Sequence, residues 1–244
     1  MTKASIPQSS EILPQGVPDE IRQGTNYRSR HPKSDFSTAS LGCRKIGRDV
    51  IEYPIVDEID CNGWDIRKAL YLLTRTNGAL LEWLRSPIRY IEFADFAELM
   101  RTTSVQVMSP IALCYHYSHM ARTNAREYLF RDQVRLKKYF YVLRPLLAIR
   151  HVEKHGSPPP VEFSKLADDV LPKNLSRSVE ALLELKQSSG ELEFGDQIPE
   201  INAFIEEELE RHGQRFTGQD RPLMSAKSEA YEQLNRIFRS AIRP

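Results

Sequence analysis

The sequence predicts an α+β protein that is mainly helical, with one or two strands followed by a helical bundle. Three observations carry this prediction. Residues with high β propensity are concentrated in one short segment between Val50 and Ile59. From Trp64 onward, apolar residues recur with the period of an α-helix. Before residue 48 no apolar period is present, and Pro, Ser, Thr and Gln are frequent.

Residues 1–47 are expected to form a disordered or divergent N-terminal segment. Their polar, proline-interrupted composition cannot bury enough apolar surface to offset the entropy of ordering. The next segment, Asp49–Asp60, is predicted to form an edge strand or two short strands, because Pro54 cannot donate to a strand ladder. The pair Asn62-Gly63 is typical of a turn.

The rest of the chain is predicted to be helical. A break is expected at Asn77-Gly78, and Ser109-Pro110 has the pattern of an N-cap followed by proline in the first turn. Pro145 lies inside a predicted helix, so it should kink that helix and leave the carbonyl of Tyr141 without its helical donor. The predicted helices cover residues 65–85, 93–101, 109–130, 132–155, 161–170, 174–189, 197–213 and 225–242.

Composition and charge exclude several classes of protein. The 244 residues carry 34 Lys and Arg against 33 Asp and Glu, and 41% are hydrophobic, which is ordinary for a soluble protein. No apolar run approaches the roughly 18 residues of a membrane span, and residues 1–10 lack the apolar core of a secretory signal. Three widely spaced cysteines predict neither a disulfide framework nor a zinc site. We therefore expect a cytoplasmic protein without membrane contact. The sequence does not indicate how many subunits it forms.

The helical hairpin 110–155 holds the first candidate site. Lys137, Tyr141 and Arg144 are spaced to share one helical face, and Lys138 lies beside them. A second row on the preceding helix consists of His116, Met120, Asn124 and Tyr128. Two facing rows of this kind suit a nucleoside triphosphate, because Lys and Arg bind phosphate and Tyr stacks on a base. The alternative is a solvated basic face with aromatic rings that seal the core.

The second candidate site is the acidic end of the predicted strand. Glu58 and Asp60 are two residues apart, so on a strand they point to the same face. Such a pair suits Mg²⁺, which takes oxygen ligands. The alternative is conformational, since Asp and Asn are common at strand ends and turns. Asp65 is expected to cap the helix that follows.

Five blocks of the sequence occur together in this order: Asp49–Ile55, Asn62–Leu70, Leu81–Ile88, Tyr115–Tyr117 and Lys137–Leu147. In combination they resemble a predicted nucleotidyltransferase family of the DNA polymerase β-like superfamily, some members of which are associated with RNA repair. The resemblance covers about residues 48–210. It divides the chain into the N-terminal segment 1–47, a remnant of the catalytic domain at 48–108, and a helical domain for nucleotide or substrate binding at 109–244.

The resemblance implies Mg²⁺-dependent transfer of a nucleotidyl group from a nucleoside triphosphate to an acceptor, for which RNA is one candidate. In the family, a Gly-Ser turn holds phosphates, and an Asp-x-Asp pair with a third carboxylate holds the metal. Here Asp60 best matches the third carboxylate, with Glu58 or Asp57 as alternatives. The family's basic helix block is matched by Lys137, Lys138, Tyr141 and Arg144.

The N-terminal motifs of the family are not found before residue 49. Asp35 is followed two positions later by Ser37, where the family places a second Asp. We therefore expect impaired transfer activity. Two alternatives stay open: a non-catalytic helical module that binds nucleotide or RNA, and a degenerate fragment. The enzyme hypothesis predicts that the basic helix faces the acidic end of the strand across a gap that fits a polyphosphate.

Overall fold

The computed structural model describes residues 50–52, 54–55, 62–92, 94–131, 133–188, 194–215 and 228–242. Within these residues the protein is mainly helical with two small two-stranded sheets, which confirms the predicted fold class. The strands are β1 (Val50–Glu52), β2 (Asn62–Trp64), β3 (Val134–Arg135) and β4 (Phe194–Gly195). The expectations for residues 1–47 lie outside the described residues.

The helices follow the order that the sequence predicts. They are α1 (Ile66–Thr74), α2 (Gly78–Leu84), α3 (Ala94–Val107), α4 (Pro110–Tyr128), α5 (Tyr139–His155), α6 (Phe163–Val170), α7 (Ser176–Ser188), α8 (Pro199–Arg215) and α9 (Ser228–Ile242). Short 3₁₀ turns, Leu136–Lys138 and Lys173–Leu175, precede α5 and α7. Among the described helices, none combines the length and apolar character needed to cross a bilayer.

The first sheet pairs β1 with β2 in antiparallel orientation, with Val50 opposite Trp64. The prediction that Asn62-Gly63 forms a turn is wrong, because both residues belong to β2. Gly63 lies opposite Ile51 in this register, and the Cβ of Ile51 is 3.8 Å from where a Cβ on Gly63 would lie. Strand pairing therefore overrides the local turn preference of the Asn-Gly pair.

Local signals fix the ends of α1 and α2. Asp65 caps α1, since its Oδ1 accepts the backbone N–H two residues on at 2.9 Å. Asn77 caps α2 in the same way, accepting the N–H three residues on at 3.0 Å. The predicted break at this point is confirmed, and Thr76 has a positive φ of 51° there. A Cβ on Gly78 would lie 2.6 Å from Cδ2 of His116, so glycine permits the close approach of α2 to α4.

The core is centred on the α4–α5 hairpin, which packs against α6 and α8. Ser109 caps α4 with Pro110 in the first turn, as predicted. The fully buried residues of α5 include Val142, Leu143, Leu146, Leu147, Ala148 and Ile149. Each large side chain buried in this way contributes roughly 1.5–3 kcal/mol. This hairpin therefore supplies the rigid frame on which the polar groups at the start of α5 are held.

The predicted start of a helix at Asp132 is wrong. Val134 is buried and forms β3 with Arg135, and β3 pairs with β4 so that Val134 lies opposite Gly195. A Cβ on Gly195 would lie 3.0 Å from the side chain of Leu136. This pairing joins residues about sixty positions apart, so no local apolar period indicates it.

The predicted end of α3 near Arg101 is also wrong, because α3 continues to Val107. Its last turns pack against α9, whose Ile237 is buried, and Gln233 donates to Oγ1 of Thr103 at 3.1 Å. The extra turns of α3 therefore depend on a contact with a helix near the other end of the sequence, which also packs against α1.

Candidate functional site

The predicted cationic residues lie at the start of α5. Lys137 and Lys138 belong to the 3₁₀ turn before the helix, whereas Tyr141 and Arg144 lie in its first two turns. Since α5 begins at Tyr139, the four residues do not form one continuous α-helical row. The side chains of Lys138 and Arg144 turn to different partners.

The ammonium group of Lys138 lies between two aromatic rings. Its Nζ is 4.3 Å from the ring centroid of Tyr128 and 4.2 Å from that of Tyr141. The two rings meet edge to face with centroids 6.2 Å apart. Cation–π attraction of about 0.5–2 kcal/mol holds the ammonium in this position. Tyr141 is 51% exposed, so this lysine–tyrosine cluster of Tyr128, Lys138 and Tyr141 presents a ring and a cation to solvent.

Arg144 is engaged by other groups of the protein, although 25% of its side chain is exposed. Its Nη1 donates to Oε1 of Glu82 on α2 at 2.8 Å, and its Nη2 donates to the carbonyl of Val161 at 3.1 Å. The hydroxyl of Tyr117 donates to the same Glu82 oxygen at 2.8 Å. Burial first, and the charge of Glu82 second, raise the pKa of Tyr117 well above its usual range, so its phenol stays a neutral donor. A phosphate would have to compete with Glu82 for Arg144.

The second predicted row divides between two places. Asn124 and Tyr128 reach the start of α5, where Nδ2 of Asn124 donates to the carbonyl of Tyr141 at 2.9 Å. This is the carbonyl that Pro145, which has no N–H, leaves without a helical donor, as expected from the sequence. His116 packs instead beneath α2, and burial lowers its pKa.

Aromatic stacking connects the first sheet to these helices. Trp64 of β2 stacks on Trp83 of α2, with ring centroids 4.2 Å apart and an interplanar angle of 25°. Trp83 is adjacent in sequence to Glu82, which binds Arg144 of α5. A continuous path of contacts therefore runs from β2 through α2 to the basic start of α5.

The predicted acidic residues, Asp57, Glu58, Asp60 and Asp35, lie outside the described residues. The Mg²⁺ ligands and the gap between them and the basic helix therefore stay predictions. Asp65 is described, and its carboxylate caps α1 and lies 3.2 Å from Nε of Arg67. That group has the structural role that the sequence assigns to it.

Sequence reasoning did not single out Glu82, although this residue of α2 binds both α4 and α5 and so joins all three helices that meet here. The available signal is a charged residue in the otherwise apolar segment Leu80–Leu84, which lies on a helix that packs against α4. A carboxylate in such a setting needs a partner, because charged groups are rarely buried unpaired. The pattern does not indicate that the partners are Tyr117 and Arg144.

Comparison with known proteins identifies the relatives of this chain. The model of the RNA repair pathway DNA polymerase beta family matches residues 35–240. The protein YcgL of Bacillus subtilis (strain 168) is 41% identical over 196 residues, which are 80% of this chain and 74% of that protein. No solved structure matches the chain. The family match includes the acidic segment and the basic start of α5, and it extends beyond the predicted range of 48–210 at both ends. The chain therefore belongs to the RNA repair pathway DNA polymerase beta family.

Proposed function

We propose that the chain binds a nucleoside triphosphate at the start of α5 and uses it in Mg²⁺-dependent transfer of a nucleotidyl group, with RNA as the candidate acceptor. Membership of the family supports the class of reaction. The observation that supports this binding site is the lysine–tyrosine cluster, in which the ammonium of Lys138 lies 4.2 Å from the ring centroid of the half-exposed Tyr141.

This cluster offers both kinds of contact that a nucleotide needs. The exposed ring of Tyr141 provides a face on which a base stacks, which is worth about 1–3 kcal/mol per base. Lys138 provides a positive charge next to that face, and Lys137 precedes it in the same turn. An ammonium held between rings is already ordered, so little side-chain entropy is lost when it meets a phosphate.

For the metal we propose Asp60 and Glu58 as ligands, since their two-residue spacing predicts one shared face if the segment is extended, and carboxylates provide the oxygen atoms that Mg²⁺ prefers. Bound there, Mg²⁺ would neutralise charge on the transferring phosphoryl group. Support comes from β2, which begins two residues after Asp60 and is connected to α2 through the stacked rings of Trp64 and Trp83. Because α2 in turn binds α5 through Glu82, the acidic segment is attached to the helices of the proposed nucleotide site.

Titration of the full chain with ATP tests the binding site. Replacing Lys138 with Met should weaken binding about 10- to 100-fold, because a charge-assisted contact is worth about 1.5–3 kcal/mol. Tyr141→Ala should weaken binding as well, whereas Tyr141→Phe keeps the ring and should bind within about twofold of the original chain. Lys165→Met is the matched control, since this lysine is 68% exposed on α6. Equal affinity of the Lys138 and Lys165 variants would exclude the cluster as the site.

Turnover is tested separately with α-labelled ATP, Mg²⁺ and an RNA oligonucleotide. The proposal predicts label transferred to the RNA, and Asp60→Asn should abolish that transfer while ATP binding without metal persists. Absence of transfer together with intact ATP binding would contradict the catalytic part alone. The expectation of impaired transfer stays a prediction, because residues 1–49 lie outside the described residues.

The second candidate function is a non-catalytic module that binds nucleotide or RNA. It is favoured by the groups described at the start of α5, which are binding groups, and by the internal pairing of Arg144 with Glu82. This function predicts ATP or RNA binding that does not need Mg²⁺ and weakens steeply with salt. Label transfer to RNA that depends on Asp60 would exclude it.

A further inference from the structure

Two histidines and one aspartate meet where the end of α5 packs against α6. Nδ1 of His151 lies 2.7 Å from Oδ2 of Asp169, and Nε2 of His155 lies 2.9 Å from the same oxygen. The two imidazole centroids are 4.5 Å apart. One possible ligand atom from each residue lies within 4.8 Å of the other two. The histidines are four residues apart on one helix face, and the third group comes from another helix.

We propose that His151, His155 and Asp169 bind a divalent transition-metal ion of the zinc class. Imidazole nitrogen and carboxylate oxygen are the ligands that zinc takes in catalytic sites with three protein ligands. Metal–ligand bonds of about 2.0–2.2 Å in a tetrahedral site place ligand atoms about 3.4 Å apart. The observed separations of 2.7 and 2.9 Å are slightly smaller than this, so a small outward movement of the side chains makes room for the ion.

Lys154 of the same helix also binds the carboxylate. Its Nζ donates to Oδ1 of Asp169 at 2.7 Å and to the carbonyl of the same residue at 3.1 Å. Oδ2 of Asp169 thus faces both imidazoles, whereas Oδ1 is held by Lys154 and also lies 3.1 Å from Nε2 of His155. Outer partners of this kind orient the ligating carboxylate in metal sites.

The same three side chains can also be held together by hydrogen bonds alone, because an imidazole has an N–H to donate and Oδ2 of Asp169 lies within reach of both rings. As metal ligands, the two ring nitrogens would instead be unprotonated and would share the ion with the carboxylate. The two roles use the same groups, and titration with metal separates them.

Burial and position are consistent with a separate, accessible site. The side chain of His151 is 11% exposed, that of His155 39% and that of Asp169 22%, so the site opens to solvent on the His155 side. Three protein ligands leave a fourth position for water or another ligand. His151 lies about 20 Å along the helix from Lys138, so this site is distinct from the proposed nucleotide site.

Titration of the metal-free full chain with Zn²⁺ by calorimetry, together with the Zn²⁺-induced rise in Tm, tests the proposal. His155→Gln and Asp169→Asn should each weaken Zn²⁺ binding by at least about tenfold, because loss even of an outer partner has that effect. His119→Gln is the matched control, since His119 is an exposed histidine on α4 and should leave binding unchanged. The His155 variant should fold normally, because its side chain is 39% exposed, and circular dichroism checks this.

Co²⁺ provides a second readout of the same site. A site of two imidazoles and one carboxylate should give weak visible absorption bands without a thiolate charge-transfer band. The proposal is overturned if the chain shows no Zn²⁺ binding, if the His155 and Asp169 variants bind as the original chain does, or if Co²⁺ gives a thiolate band. If Asp169→Asn fails to fold, the comparison of His155→Gln with His119→Gln decides.

Discussion

Cys114 shows how its surroundings determine the chemistry of a single residue. This thiol is 4% exposed on α4, and burial first, with the charge of Glu153 second, raises its pKa to about 12. Because the thiolate is the reactive form, we expect Cys114 to be inert in the native protein. In a chain with Cys43→Ser and Cys61→Ser, a thiol reagent at about pH 8 should label nothing under native conditions and one thiol after unfolding in guanidinium chloride.

The same double variant provides the control for that experiment. Its native circular dichroism spectrum must match that of the original chain before the labelling is interpreted. Complete labelling of Cys114 within minutes under native conditions would contradict the prediction, since it would require a thiol that is neither buried nor of raised pKa.

Residues that cap a helix by binding a nearby backbone N–H were predictable from the sequence. Asp65, Asn77 and Ser109 each accept a nearby backbone N–H at a helix start, and each was visible as a cap or a break. Glu82 and Arg144 were not predictable as a pair, because they are sixty-two positions apart and their pairing depends on how α2 meets α5. Charge and helical spacing locate the basic residues but do not assign their partners.

At the scale of the element, α5 shows how a proline is accommodated in the middle of a core helix. Pro145 removes the donor for the carbonyl of Tyr141, and Asn124 of α4 replaces it at 2.9 Å. We expect Asn124→Ala to reduce the free energy of unfolding by about 1–2 kcal/mol, because the Tyr141 carbonyl then loses the side-chain donor that replaces its helical N–H. Urea denaturation measures this change.

A double-mutant cycle tests the cause of that loss. In the Pro145→Ala background, the backbone N–H of residue 145 can donate to the Tyr141 carbonyl, so Asn124→Ala should then cost less by about 0.5–1 kcal/mol. Additive effects of the two substitutions would show that the Asn124 side chain acts independently of the proline.

Elements with a strong apolar period were predictable, whereas their ends depended on distant contacts. The α4–α5 hairpin and the break between α1 and α2 follow from local patterns. The pairing of β3 with β4 was missed, because it is two residues long on each side and links distant segments. The extension of α3 to Val107 was missed for a similar reason, since α9 covers those turns.

At the scale of the whole molecule, the sequence placed the chain in its family, and the arrangement of the helices came from the structure. The predicted domain boundaries at residues 47 and 108 stay predictions. The last described helix, α9, packs against α1 and α3, so the C-terminal part of the chain contacts the first helices. The cluster of His151, His155 and Asp169 likewise could not be predicted from the sequence, because Asp169 meets the two histidines through the packing of α6 on α5.

The stability of the whole molecule should depend on pH through Glu208, at the interface of α8 and α5. Its carboxylate is 4% exposed and accepts from Arg150 at 3.1 Å and from Arg211 at 2.8 Å. Burial alone would raise its pKa, but hydrogen bonds from His212 and Arg211 and the charge of Arg150 outweigh burial and lower the pKa to about 2. The ordinary value is 4.5, so the group stabilises the fold above about pH 4.5 and loses this effect as pH falls towards 2.

A shift of this size corresponds to about 3 kcal/mol of unfolding free energy at neutral pH. We therefore expect Glu208→Gln to be less stable than the original chain at about pH 6, and the two stabilities to converge by about pH 2, because protonated Glu208 resembles Gln in charge. Urea denaturation across this range measures both curves. Asp169 titrates in both proteins, so its contribution cancels in the difference. A difference that stays constant from pH 6 to 2 would mean that packing of the side chain, rather than its ionisation, stabilises this interface.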